Sequence, residues 1–455
     1  MRHSAQGLCS DMMRAATILA IIMPMSMSTP AWSADLVEIF RLAQSADAVY
    51  GSARASWTAA QEKLPQGRSG LLPSASISGS TQLNDRSIGF RNSTVPDQND
   101  RFNSNALSLS ITQPIYRRQN AVVYEQAKTQ LEQADATLAL AGQDLITRVA
   151  QAYLDVLLAQ FNVALTGAQK TAIAEQLALA KISFEVGTAT ITDTHEAQAR
   201  YDLSVSQEIA AQSDLEIRIR ALEQVIGRIA PALAPLSPAF KLIAPEPAEM
   251  DKWVEDARSN SHQVRAAQAG ATLANQEVER NRAGHYPTLD AFATLSENRS
   301  GVGTLGGPGN DTNNRIIGLQ LAVPIYQGGL VNSRVREALA NEDKARQDLE
   351  NARRTAELNT RQNYLGVTSG IAQIKALEAA LTSSQSALDS SRLGREVGVR
   401  TQVDVLNAQQ QLFSARRDMA QAKYNYILST LRLKAAVGRL AEEDISAVSA
   451  WLERK

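Results

Sequence analysis

The chain is poor in cysteine, aromatics and histidine, has no excess charge of either sign, and carries no long apolar run beyond its N-terminal segment. Its single cysteine is Cys9 among 455 residues. Cys9 lies before the N-terminal apolar stretch and not at its end, so it does not stand where a lipid-bearing cysteine should. The remainder has no thiol for a disulfide or a thiolate centre. Lys and Arg number 46 against 47 Asp and Glu, a formal charge of -1. No broad basic face is available for nucleic acid. The histidines His3, His195, His262 and His285 are scattered, without metal-ligand spacing. No Ser-His-Asp or Cys-His grouping stands in a plausible frame, so we expect no enzyme, no metal and no cofactor. Aromatics make up 5% of the chain, while Ala, Gln and Leu recur throughout, a balance suited to long packed helices. No stretch after the N-terminal segment approaches 18 uninterrupted apolar residues, the length of a membrane helix. A membrane role would therefore fall to strands.

The N-terminus has the layout of an export signal. Arg2 and Arg14 flank a polar start, Ala15 to Met25 is apolar apart from Thr17, and Ala31-Trp32-Ser33-Ala34 offers small residues for cleavage. Residues 1–33 are expected to be removed, leaving a charge of -1 - (+1) = -2, since they hold two Arg and one Asp.

The rest is a tandem repeat. Leu72-Pro73-Ser74 returns as Tyr286-Pro287-Thr288, Pro114-Ile115-Tyr116 as Pro324-Ile325-Tyr326, Glu185-Val186-Gly187 as Glu396-Val397-Gly398, and Ile226-Gly227-Arg228 as Val437-Gly438-Arg439. We expect a first repeat over 34–230, a second over 250–438 and a C-terminal segment over 439–455. The connector 231–249 holds Pro231, Pro235, Pro238, Pro245 and Pro247, too many for a regular helix or a central strand.

Each repeat opens with a helical stretch, Ala34 to Leu64 or Met250 to Ala283. Two alternating segments follow, then a long proline-free helix ending near Gly187 or Gly398 and a shorter returning helix. The outgoing helices, about 65 residues each, would reach roughly 100 Å. Returning helices of about 38 residues are too short to pair with them alone. Added end to end to the opening stretches, they match, so each repeat should contribute one continuous and one spliced column.

The alternating segments read as strands. Ala75, Ile77, Gly79, Thr81 and Leu83 alternate with Ser74, Ser76, Ser78, Ser80 and Gln82, and Leu107, Leu109 and Ile111 with Ser108, Ser110 and Thr112. The second repeat gives Leu289, Ala291, Ala293 and Leu295, then Ile317, Leu319, Leu321 and Val323. Segments of about ten residues with one apolar face suit lipid on one side and water on the other. A half-buried soluble sheet would show the same pattern. In the membrane reading Leu109 and Leu321 face lipid, and Ser108 and Gln320 the lumen. Four strands cannot close in lipid. A dimer would supply eight and a trimer twelve, and only twelve leave a passage. Pro73, Pro114, Pro287 and Pro324 should mark strand ends. Gly301, Gly303 and Gly306 make a lone G-x-G-x-x-G, but Gly307-Pro308-Gly309-Asn310-Asp311 follows, which reads as a turn and not as the helix a nucleotide site needs.

The helix tips carry a family resemblance. Phe184-Glu185-Val186-Gly187 with Thr190, Ile191, Thr192, Asp193 and Ala197, and Arg395-Glu396-Val397-Gly398 with Arg400, Thr401, Asp404, Val405, Leu406 and Ala408, resemble the two hairpin tips of TolC-like outer-membrane channels. Segments 185–198 and 396–409 share seven identities in fourteen positions. The resemblance implies a mixed fold: a homotrimer with a twelve-stranded transmembrane β-barrel continuous with a long periplasmic α-helical barrel. It implies an exit duct for efflux or type I secretion, served by an inner-membrane pump or ABC transporter and a periplasmic membrane-fusion adaptor. Loops Asn84 to Phe102 and Asn298 to Asn313 would face outside the cell. Val186, Gly187, Thr188, Val397, Gly398 and Val399 would dock the adaptor. Thr192, Asp193 and Arg400 match the family's gate, while Arg395 replaces its aromatic and is expected to pair with Asp193. Asp404 matches one acidic ring and Asn407 replaces the other. A soluble periplasmic coiled-coil adaptor is the competing reading of the helices, but it leaves the four alternating segments without a role.

Overall fold

The computed structural model describes residues 33–453 apart from 92, 93, 95, 238, 239 and 304–306. The expected signal segment therefore lies outside the described residues, Ser33 excepted. The opening stretch of the first repeat is not one helix but three, α1 (Leu36–Ala46), α2 (Ala48–Gln61) and α3 (Lys63–Ser69). Asp47 makes the first break. Its carboxylate accepts a hydrogen bond from the Tyr50 N–H at 2.7 Å and so caps α2. It also receives Arg148 Nη1 and Nη2 at 2.8 and 3.0 Å. Strands β1 (Ser74–Ile88) and β2 (Gln98–Tyr116) follow, then α4 (Arg118–Glu185) and α5 (Ile191–Ile226). The second repeat gives α6 (Met250–Asn260), α7 (His262–Arg282), a short turn at Ala283–His285, β3 (Thr288–Val302), β4 (Pro308–Ala322), α8 (Leu330–Glu396) and α9 (Gln402–Ala436). Its opening helix breaks at Ser261, the position matching Asp47. Helix α10 (Glu442–Ser449) closes the chain.

The columns arrange as the lengths predict. Helices α4 and α8 run 68 and 67 residues, and α5 and α9 run 36 and 35. Helix α4 packs on α5 along one part of its length and on α2 and α3 along another; α8 does the same with α9 and with α6 and α7. Helices α7 and α9 also touch α4, which joins the two repeats side by side. Helix α4 is long and apolar enough to cross a membrane by length and composition, contrary to the expectation from uninterrupted runs. Its apolar residues Leu145, Val149, Tyr153, Leu154 and Leu157 are buried in the principal protein core, which accounts for that composition.

This core forms a belt where the columns are spliced, and the proline-rich connector belongs to it. Apart from isolated bridges at Leu233 and Leu236, the described residues of the connector form no strand or helix before α6, yet they are docked rather than loose. Buried Tyr153 donates to the Ala34 and Ala234 carbonyls at 3.2 and 2.8 Å. Tyr426 donates to the Ile243 carbonyl at 2.6 Å and accepts from its N–H at 2.9 Å. Phe240 meets the rings of Tyr426 and Trp451 edge-on. Proline removes donors and fixes φ, so a segment without its own ladder is satisfied by tyrosine hydroxyls instead.

Strands β1 to β4 form one antiparallel sheet in chain order. They are longer than expected, 15 to 19 residues, so the segments joining them shrink to 89–97 and 303–307. Residues 308–311, expected in a turn, are paired strand. Pro73 and Pro287 precede strands and Pro324 follows one, but Pro114 lies inside β2 beside a register shift. There its missing donor is tolerated because the ladder is already interrupted.

A sheet face and two helical tips as the candidate site

Register turns four separate alternations into one surface. Ile77 stands opposite Leu109, Leu109 opposite Leu295, Ala293 opposite Ile317 and Leu289 opposite Leu321. Directly opposed residues share a face, so the apolar positions form one continuous apolar side. Ser78, Ser108 and Ser296 align on the other side, as do Asp290 and Gln320. The apolar side is uncovered; Ile317 is 89% exposed. Phe292 is an exception on the polar side. Its ring lies across Gly318, where a Cβ would fall 2.9 Å from a ring carbon, so a larger residue there would have to push the ring aside. Where sheet meets helices, Arg117 at the start of α4 grips Asp290 of β3 with Nε to Oδ1 at 2.7 Å and Nη2 to Oδ2 at 2.6 Å. This ion pair joins the two repeats across 173 positions of sequence, which no local pattern signals.

At the far end of α4 and α8 the two tips have the same construction. Gly187 and Gly398 are left-handed, with φ of 78° and 79°. The Gly187 N–H donates to the Phe184 carbonyl and the Thr188 N–H to the Ser183 carbonyl, at 3.0 and 2.8 Å. Gly398 and Val399 repeat these bonds to Arg395 and Gly394 at 3.1 and 2.8 Å. This paired closure of a helix end needs a residue free to adopt positive φ. Val186, Val397 and Val399 are exposed around these turns.

The next helix starts on a reciprocal cap at both tips. The Asp193 N–H donates to Thr190 Oγ1 at 3.2 Å, while Asp193 Oδ2 accepts from the Thr190 N–H and Oγ1 at 3.0 and 2.8 Å. Thr401 and Asp404 repeat the arrangement at 3.2, 2.8 and 2.9 Å. Hydrogen bonds from Thr401 hold the Asp404 carboxyl below the usual carboxylate range, and the nearby Arg400 charge adds to this. Asp404 is thus ionised at neutral pH. The Thr-x-x-Asp spacing is a helix-start signature, and it accounts for two of the identities shared by the tips.

The gate candidates are all at the tips, but not in the expected pairs. Arg395 does not meet Asp193. Its Nη1 donates to Gln176 Oε1 at 2.9 Å, and the same oxygen accepts from Gln402 Nε2 at 2.8 Å. Asp193 is engaged by its own cap, which leaves it poorly placed for Arg395. Asn407 Oδ1 accepts from Arg200 Nη2 at 3.1 Å, bridging α5 and α9. The stem of Arg400 passes Gly394, where a Cβ would lie 2.7 Å from Arg400 Cγ. Thr192 is exposed. Gln176 and Arg200 were not singled out from sequence, because Gln and Arg on a long helix carry no local signal of a partner. His195, on α5 just after the first tip, is exposed. Among the described residues no group of three or more His, Cys, Asp or Glu is placed to hold a metal ion.

An uncovered apolar sheet face continuous with helical columns roughly 100 Å long, built twice in one chain, defines the class: an elongated channel subunit of the outer membrane. A sequence profile described as outer membrane efflux protein matches residues 45–228 and 253–439. The chain belongs to the outer membrane efflux protein family. It is a transport channel for efflux or secretion, not an enzyme, with its helical region in the periplasm. Outer membrane protein TolC of Vibrio cholerae is 32% identical over 430 residues, covering 94% of this chain and 96% of the relative. The proteases secretion protein PrtF of Dickeya chrysanthemi is 30% identical over 447 residues, covering 97% and 96%. Among solved structures, the fold matches the Campylobacter jejuni CmeC outer membrane channel with a TM-score of 0.78 at 18% identity, covering 92% of this chain and 90% of that one. It matches VceC of Vibrio cholerae with a TM-score of 0.76 at 19% identity, covering 89% and 96%.

Proposed function

We propose that the chain works as a homotrimer whose twelve strands close a β-barrel in the outer membrane, above a periplasmic helical barrel that serves as the exit duct of a tripartite efflux pump or a type I secretion system. One observation carries the reading: a four-stranded sheet with one apolar face and two unpaired edges, β1 and β4. Open edges are not tolerated in lipid, and further copies would satisfy them. The helical flanks support it. Leu203, Ile209 and Ile217 of α5 and Leu358 and Leu365 of α8 are exposed on a single chain. In this reading Leu109 and Leu321 meet lipid, and Ser108 and Gln320 line the duct. Residues 1–33 are the export signal, 34–230 and 250–438 the two repeats, 231–249 their connector and 439–455 the C-terminal segment. Val186-Gly187-Thr188 and Val397-Gly398-Val399 dock a periplasmic adaptor, which brings an inner-membrane pump or ABC transporter. Thr192, Asp193, Arg395, Arg400, Asp404 and Asn407 line the periplasmic constriction. The test is cross-linking in mild detergent with conductance measured on the same material. Products should stop at three subunits and conduct; a monomer or dimer that still conducts would sink the proposal.

A further inference from the structure

The apolar side of the sheet ends differently at its two margins. Next to the helices it is fringed by tyrosine. Tyr116 stands opposite Leu289 and so lies on the apolar side, and Tyr286 and Tyr326, flanking β3 and β4 at the same margin, are exposed with it. At the far margin the paired positions on this side hold charge and no aromatic. Asp85 opposite Arg101 is in step with Ile77 opposite Leu109. Arg299 opposite Asp311 is in step with Leu295 opposite Arg315, and Glu297 lies between them.

These charges are open to the surroundings. Arg101 Nη2 is 2.9 Å from Asp85 Oδ2 and Arg299 Nη2 is 2.6 Å from Glu297 Oε1, yet the two arginine side chains are 74% and 63% exposed. Arg315 is exposed and makes no ion pair among the described residues. The polar side is different. There Arg86 Nη2 donates to Asp100 Oδ2 at 3.0 Å and to the Gly303 carbonyl at 3.2 Å, and the Asp100 side chain is only 15% exposed. Charge on the polar side is locked within the sheet, whereas charge on the apolar side is free to meet a ligand.

We propose that the far margin of the apolar side, centred on Arg299 and Arg315, binds the phosphate groups of a glycolipid in the outer leaflet. The proposal rests on the membrane reading given above, in which the margin away from the helices is the outer one. A barrel between two alike leaflets carries aromatic girdles at both interfaces. Tyrosine at one margin and charge at the other match unlike headgroups, with the ionic ones outside. Guanidinium forks fit phosphate oxygens in paired hydrogen bonds. Arg315 has its whole fork free, and Arg299 spends Nη2 on Glu297 and keeps further donors. The two stand on adjacent strands four residues out of step, so their backbones are about 14 Å apart. That spacing suits two phosphates on one headgroup better than a single shared phosphate.

The test is lipid binding by the purified full-length protein in detergent, followed by native mass spectrometry. The probes are lipid A with both phosphates, its single-phosphate form, and phosphatidylglycerol. The wild type should hold the two-phosphate lipid about tenfold more tightly than the single-phosphate form, the order expected for one charged hydrogen-bonded contact. Phosphatidylglycerol should bind more weakly still. Arg299→Gln and Arg315→Gln should each remove the tenfold preference, and Arg315→Lys, which keeps the charge without the fork, should lose less. Arg86→Gln takes a charge from the polar side and should keep the preference. Equal binding of all three lipids, an unchanged preference in both arginine-to-glutamine variants at the margin, or an equal loss in Arg86→Gln would overturn the site. A protein that stays in solution without detergent and binds none of the lipids would overturn the membrane reading itself.

Discussion

The belt around Tyr153 and Tyr426 and the two tips are built from the same helices, yet they are held differently. In the belt, α1, α4, α9, α10 and the proline-rich connector bury large side chains in one core, and Asp47 locks onto Arg148. At the tips the apolar clusters are small and the contacts between hairpins are amides. Burial makes the belt the fixed part of the column, while hydrogen-bonded ends can exchange partners with water. The middle of a long helical body is thereby held more firmly than its tip end. That arrangement suits a duct whose barrel stays in place while its entrance responds to a partner.

The largest expected effect is in the belt. Tyr426→Ala should destabilise the protein by about 3–5 kcal/mol, because it empties a buried aromatic site and strands the Ile243 backbone. Denaturant titration in detergent measures this, and a loss of under about 1 kcal/mol would erase the distinction between belt and tips. Asp47→Ala comes next, at about 2–3 kcal/mol, combining a lost cap with a lost charge-assisted pair. The two effects should separate in Asp47→Asn, which keeps the cap and weakens the pair.

At the tips the costs fall. Thr190→Ala and Thr401→Ala should each cost about 1 kcal/mol and act locally. Hydrogen exchange should quicken in the first turn of α5 or α9 and leave the belt unchanged; protection lost throughout would contradict local action. The two tips should also respond alike to substitution of their turn glycines. Gly187→Asn and Gly398→Asn should be tolerated, because Asn enters the left-handed region readily. The Leu variants should be strained although open space surrounds both Cβ positions. Adaptor binding that survives in the Asn variants and fails at Val186→Asp or Val399→Asp would sharpen the docking proposal. Loss of binding in every variant would assign the tips to backbone geometry alone.

Charge gives the finest comparison. Asp404→Asn keeps an acceptor for the Thr401 cap but removes the ring charge, so cation preference in bilayer recordings should fall while helix stability is nearly kept. Unchanged selectivity would move the constriction elsewhere. Asp47 and Asp404 both have carboxyls held below their ordinary range, by Arg148 first in one case and by Thr401 hydrogen bonds first in the other. A depressed folded-state pKa stabilises the protein above the unfolded value and loses that contribution as pH falls through the folded one. These groups should therefore leave stability flat from about pH 5 to 8 and weaken it only below about pH 4. An unfolding midpoint that drops between pH 7 and 5 would point to other groups.

Much of this was legible because it is local. Helix lengths follow from the absence of proline between Arg117 and Ala230 and after Pro324. The apolar and polar faces of the sheet follow from period-two alternation, and the tips from glycine at a fixed offset. The Thr190 and Thr401 caps are equally local, standing in the sequence as Thr-x-x-Asp, although the same aspartates also fit the family's gate positions. The connector shows the opposite failure. Its prolines correctly forbid regular structure, yet nothing in them says that Tyr153 and Tyr426 will hold the segment in the core.

By itself, then, the sequence determined the repeat, the columns, the alternating strands and the turning points, since each depends on residues within a few positions of one another. Only the tertiary structure decided that Arg117 would hold Asp290, that Arg395 would find Gln176 instead of Asp193, and that Arg200 would meet Asn407. These pairs lie 173, 219 and 207 positions apart. Which side chains meet across such distances is fixed by the register of strands and the rotation of packed helices. A shift of one residue in either would turn the same side chains to another face.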